Sequence, residues 1–174
     1  MLPSADSLNQ QFLNLPEETD RHQAATNVVN VIADFMNQVQ AGPTGSPGIF
    51  TYTRPPAISM IEALPEVDDD SWIPNFANAI HAGATAAILT PGTVVYPAWT
   101  ASSVDVLPVV NVGLGAALSV LMEGLQPVTS SNNPCLPLAQ AIYNYTLAFK
   151  FLCTGLVLAP PGAPFPLPIT FPAL

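Results

Sequence analysis

Pro74-Asn75-Phe76-Ala77-Asn78-Ala79-Ile80 begins a run that passes through His81 and Gly83 to Leu89, meets Thr90-Pro91-Gly92, and ends in Thr93-Val94-Val95-Tyr96. Phe76, Ile80, Ala84 and Ile88 recur at every fourth position, which predicts a helix over 75–89 with one apolar side. The Pro-Gly pair breaks that helix, and the β-branched and aromatic residues after it read as a strand.

The same order is found on either side. Upstream, Asn14 is placed to cap a helix, with Pro16 in the first turn and Glu17 three residues on. Ala25, Val28, Ile32, Phe35, Met36 and Val39 make its apolar stripe, and Gly42-Pro43 ends it. A turn-rich connector over 41–48 leads to the alternating strand Ile49-Phe50-Thr51-Tyr52-Thr53, which Arg54-Pro55-Pro56 stops. Downstream, a helix is expected over 137–152, then Thr154-Gly155, then the strand Leu156-Val157-Leu158-Ala159.

Set against each other, Ala77, Ala79 and Ile80 recur as Ala139, Ala141 and Ile142, while Asn75 and Asn78 stand opposite Asn27 and Asn30. This reads as a degenerate helix-turn-strand repeat. Against it, the period varies between roughly 48 and 62 residues, and helix, turn and strand in succession are common in any fold. Shorter elements lie between: a helix over 58–64 and a solvated acidic loop over 66–70. Asp68-Asp69-Asp70 lacks the alternate spacing and the Gly of a calcium loop. A further helix is expected from Val109 to Leu125, apolar nearly all round, which predicts burial on most sides through Val109, Val110, Leu114, Leu118 and Leu121.

From 159 to 174 six prolines alternate with large apolar residues: Pro160, Pro161, Pro164, Pro166, Pro168 and Pro172 around Phe165, Leu167, Ile169 and Phe171. Proline has no N–H, so this segment is excluded from a helix or an interior strand. It is expected to be an extended arm, low in entropy and apolar enough to lie in a groove of another subunit. The fold class expected is α+β: helices dominate, short strands and long Pro/Gly-rich loops interrupt them, and one domain over 1–158 precedes an arm over 159–174.

Charge narrows the function. Only 9 % of the 174 residues are charged, against about 25 % in an average domain. Beyond residue 70 the charges are Asp105, Glu123 and Lys150 alone. With three Lys and Arg in all and a net charge of -9, the chain lacks the cations that nucleic acid binding requires. Two uncharged or nearly uncharged stretches, 106–122 and 138–158, fail as membrane spans. The first is short of the ~20 apolar residues needed and contains Pro108 and Asn111; the second holds Gln140, Asn144, Thr146 and Lys150. The N-terminus lacks the basic and apolar regions of an export signal, so the cytosol is the expected site of synthesis.

Chemistry is sparse. No nucleophile elbow, phosphate loop or dinucleotide fingerprint occurs. His22 reads as a solvated surface residue and His81 as a hydrogen-bonded core or interface residue. Cys135 and Cys153 lack metal or redox spacing and read as plain thiols, with a disulfide as the alternative. Glu62, Glu66, Asp105 and Glu123 are the carboxylates from which a hydrolase pair would have to come, and Trp72 and Trp99 read as loop residues packed over apolar edges. Asn144-Tyr145-Thr146 matches a glycosylation sequon but falls in an expected helix. No catalytic residue, cofactor or metal is expected.

A surface with so little charge needs cover, and obligate interfaces resemble a core cut in half. In texture the chain resembles tailed-bacteriophage virion structural proteins: a Met1 start, a helix rich in Asn and Gln, loops of Ser, Thr and Asn, and an extended arm. The resemblance implies a structural subunit, made in the host cytoplasm and incorporated into the virion, whose partners are copies of itself and other structural proteins. Its acidity favours an external position such as capsid decoration, neck, tail or baseplate over contact with packaged DNA. The expected contacts are the helix from Val109 to Leu125, through Val109, Val110, Leu114, Leu118 and Leu121, and the arm residues Pro160, Pro161, Phe165, Leu167, Ile169 and Phe171. The alternative from another class is a membrane-associated or pore-forming protein whose low-charge half faces lipid.

Overall fold

A computed structural model of the chain describes residues 2–41, 45–46, 48–65, 72–90, 93–96, 99–101, 105–109, 135–154, 156–159, 163–166 and 169–172. Its helices are α1 (Ala5–Leu13), α2 (Arg21–Met36), α3 (Arg54–Glu62), α4 (Trp72–Thr85) and α5 (Cys135–Leu147). α1 packs on α2 and α5, α2 on α3, and α3 on α4. The class is α+β with helices dominating, as expected.

The N-terminal boundaries differ from the sequence reading. A helix over 5–13 was not expected; Ser4 caps it by accepting from the Ser7 N–H, and Leu8 and Phe12 are buried one turn apart. Asn14 is the C-cap of this helix and not the N-cap of the next. That role belongs to Asp20, whose carboxylate accepts from the Gln23 N–H at 2.7 Å. Arg54-Pro55-Pro56 ends a strand, as expected, but also opens α3, because the first turn of a helix needs no N–H donors. α4 stops at Thr85, so Ile88 belongs to a strand and is 65 % exposed instead of lying on the helix stripe. α5 likewise ends at Leu147, and 150–152 are strand.

The helix-turn-strand order recurs three times with one geometry. After α2, α4 and α5 the chain makes a tight turn in which Val39, Ala87 and Phe149 donate to Met36, Ala84 and Thr146 at 3.0, 3.3 and 3.1 Å. A strand follows at once: β1 (Gln40–Ala41), β4 (Ile88–Thr90) or β8 (Lys150–Thr154). Counting back from the turn, Ile32, Ile80 and Ile142 hold equivalent places and are fully buried; so are Val29, Ala77 and Ala139, and Met36, Ala84 and Thr146. These are the positions that the Asn and Ala matches align.

The remaining strands are β2 (Gly45–Ser46), β3 (Gly48–Thr51), β5 (Thr93–Tyr96), β6 (Trp99–Ala101), β7 (Asp105–Val109), β9 (Leu156–Ala159), β10 (Ala163–Pro166) and β11 (Ile169–Pro172). All pairings are antiparallel, in the orders β1-β3-β4, β10-β9-β6-β5-β2 and β11-β8-β7. The registers carry on from one sheet to the next. Ser46 faces Thr93 and Thr51 faces Ile88 in one unbroken register, and Ala163 faces Ala159 and Pro172 faces Lys150 in another. β8 and β9 thus pair with β11 and β10 in one hairpin register, and β9 ends at Ala159, where the arm was expected to begin.

The strand in 49–53 alternates as expected. Phe50 and Tyr52 are buried, while Thr51 is exposed and Ile49 is 60 % exposed. Phe50 lies 5.5 Å from Phe149, which meets Tyr145 edge-on at 5.1 Å, so the sheet closes over the helical core through rings.

Candidate functional site

The interface residues read from the sequence fall into three groups. Val109 is the last residue of β7 and not the first of a helix; Val110, Leu114, Leu118 and Leu121 lie outside the described residues, as do Pro160, Pro161 and Leu167. Phe165 stands opposite Val157 on β10, while Ile169 and Phe171 stand opposite Cys153 and Phe151 on β11. The described residues of the arm, β10 and β11, are extended, as expected, and within this chain they pair with β9 and β8.

The strands themselves carry little charge. From β4 to β11 the charged residues are Asp105 and Lys150, each the first residue of its strand. Phe151-Leu152-Cys153 and Leu156-Val157-Leu158 are continuous apolar runs. Antiparallel strands with one wet face normally alternate apolar and polar residues, and continuous runs are the pattern of strands covered on both faces.

Several polar groups of the helical half are committed to structure. Tyr52 donates to the Ile80 carbonyl at 2.9 Å, and its N–H donates to the Asn37 side chain at 2.7 Å. Its ring lies against Gly83, where an added Cβ would fall 2.1 Å from Cζ. Thr53 next to it satisfies the end of α4, its N–H reaching the Gly83 carbonyl at 3.1 Å and its hydroxyl the Ala86 carbonyl at 2.6 Å. His81 meets the Tyr145 hydroxyl through Nδ1 at 2.9 Å. Burial lowers the imidazole pKa and raises those of Tyr145 and Tyr52. With both groups neutral, either the Tyr145 hydroxyl donates to Nδ1 or an Nδ1–H donates to the hydroxyl oxygen, and both tautomers satisfy the pair. His81 is therefore the hydrogen-bonded residue expected.

His22, the expected surface histidine, is 64 % exposed and meets Glu62 on α3 at 2.8 Å, which raises its pKa. Arg54 meets Asp34 on α2 at 2.5 Å, and Arg21 donates to the Leu64 carbonyl. Three cationic or basic side chains thus clasp α2 to α3. Of the carboxylates weighed for hydrolysis, Glu62 is engaged by His22, Asp105 opens β7, and Glu66 and Glu123 lie outside the described residues, as does the acidic run 66–70. Trp72 is helical and not in a loop, stacked on Phe76 at 5.0 Å and 7°; Trp99 lies in β6 opposite Tyr96. Cys135 is a free thiol, half-buried at the start of α5.

Among the described residues no three His, Cys, Asp or Glu side chains are grouped so as to hold a metal ion, and no helix is long and apolar enough to cross a membrane. Comparison with protein-family models, curated proteins and solved structures returned no match.

Proposed function

We propose that the protein is a structural subunit of a larger assembly and that the strands of its second half, with the apolar stretch from Val109 to Leu125 between them, form its contact surface. One observation carries this reading: the strands from β4 to β11 are nearly free of charge and partly continuous in apolar residues, although they pair antiparallel. Left wet, such a sheet would expose apolar area worth about 25 cal/mol per Å² on burial, and no field of charge would hold copies apart. Copies of the chain or neighbouring proteins supply the cover. A virion component in an external position agrees with the net charge of -9 and with the texture of the sequence. Its action is passive, through apolar burial along the sheet and through the C-terminal segment from Pro160 to Phe171.

The test is the mass of the purified protein in detergent-free buffer, by light scattering after size exclusion. A discrete oligomer, a ring or a particle supports the reading. A well-behaved monomer sinks it, and solubility only in detergent together with flotation on liposomes replaces it with the lipid-facing alternative.

A further inference from the structure

The prolines of the last two strands share one parity. In an antiparallel pair, alternate residues turn both N–H and C=O toward the partner strand, and the residues between turn both away. Pro164 faces Leu158, Pro166 faces Leu156, and Pro172 faces Lys150. One ladder accommodates all of them: Ala163, Phe165, Ile169 and Phe171 bond inward, and the prolines fall on the outward positions. The next strand checks this assignment independently. If Lys150 turns its backbone away from β11 it turns it toward Val109, so Pro108, opposite Phe151, faces away from β8. Proline there costs no hydrogen bond either.

β10 and β11 are the outermost strands of their sheets. Their outward positions are therefore Pro164, Pro166, Thr170 and Pro172, and the one N–H among them is that of Thr170. An added strand needs alternating donors and acceptors along the edge, and this edge offers carbonyls with almost no donors. On the opposite side the sheet of β10 ends in β2, two residues long, whereas the sheet of β11 ends in β7, whose outward positions by the same parity are Val106 and Pro108.

We propose that the C-terminal strand is a closed edge: its prolines remove the donors that a further strand would need, so neither a second copy of this chain nor any extended peptide adds to the sheet along that side. Contacts between subunits then do not extend the sheet along this side.

Two measurements test this on the intact chain. By amide hydrogen exchange followed by NMR, the Thr170 N–H should exchange on the order of a hundredfold faster than those of Phe165, Ile169 and Phe171. Protection of Thr170 equal to its neighbours overturns the proposal. The variant carrying Pro164→Val, Pro166→Val and Pro172→Val restores outward donors without touching inward bonds, and should gain species whose mass rises with protein concentration. Unchanged mass from the wild-type value overturns it as well, and if the variant fails to fold, the Thr170 rate alone decides. A monomeric wild type would defeat the subunit reading while leaving both of these outcomes intact.

Discussion

α2 and α4 present equivalent positions to the core and fill them differently. Four residues before the turn, α2 has Phe35, α5 has Tyr145 and α4 has Gly83, all buried. The ring beside α4 belongs to Tyr52, which enters from the strand segment and occupies the place of the missing side chain. Three residues before the turn the sequence runs Met36, Ala84, Thr146, and the Thr146 hydroxyl is satisfied by the Ile142 carbonyl at 2.7 Å. The comparison teaches that burial belongs to the position, whereas volume is shared out among neighbours. A core must be filled to near-crystalline density, but whichever element lies closest can supply the atoms.

Deleting the ring of α2 should break the comparison most. Phe35→Ala removes a fully buried ring that also meets Tyr143 at 6.4 Å, and about 4 kcal/mol should be lost in urea unfolding. Gly83→Ala should cost about 3 kcal/mol, because its Cβ cannot coexist with the Tyr52 ring where it stands. In a Tyr52→Ala background the same substitution should become nearly neutral, and a double-mutant cycle measures that coupling. Tyr52→Phe keeps the ring and removes only the bond to the Ile80 carbonyl, so about 1 kcal/mol is expected.

The smallest effect separates the two histidines by sign. His22 has a raised pKa through Glu62, so its folded state holds the proton more tightly; the stability it contributes is complete below pH 6.5 and disappears as pH rises through the folded value. His81 is lowered by burial, so the unfolded chain takes up a proton first and stability falls as pH drops below 6.5 toward the folded value. NMR titration of the imidazole resonances should place His22 above 6.5 and His81 below it.

The sharing of volume also explains what could be read in advance. Ile32, Ile80 and Ile142 are fully buried at the same distance from the turn in all three helices, and the Asn and Ala matches lie around them. Gly83 and Phe35 have no resemblance, since their equivalence depends on Tyr52, a residue outside both helices. Boundaries failed where two signals competed: Asn14-x-x-Glu17 looks like a capping box, but Asp20 caps the helix, and Pro55-Pro56 serves both to end a strand and to begin a helix. Exclusion of the proline-rich segment from a helix or an interior strand followed from the missing N–H, whereas its place as β10 and β11 on the edge beside β9 and β8 could not, because pairing is a matter of register. For function, the sequence located the low charge, and only the topology placed it on antiparallel strands.

The long register has a consequence for synthesis. Ala101 pairs with Val157 and Asp105 with Thr154, so β6 and β7 cannot complete their ladder until the chain beyond residue 150 has left the ribosome. At 5–20 residues per second that is a wait on the order of seconds, during which an apolar strand edge with Asp105 as its one charge is available to any neighbouring nascent chain. The proline-rich strands are made after all of these. Their emergence supplies β10 and β11, which seal the ribbon, and a chain truncated near residue 160 would reach the cell with that edge still open.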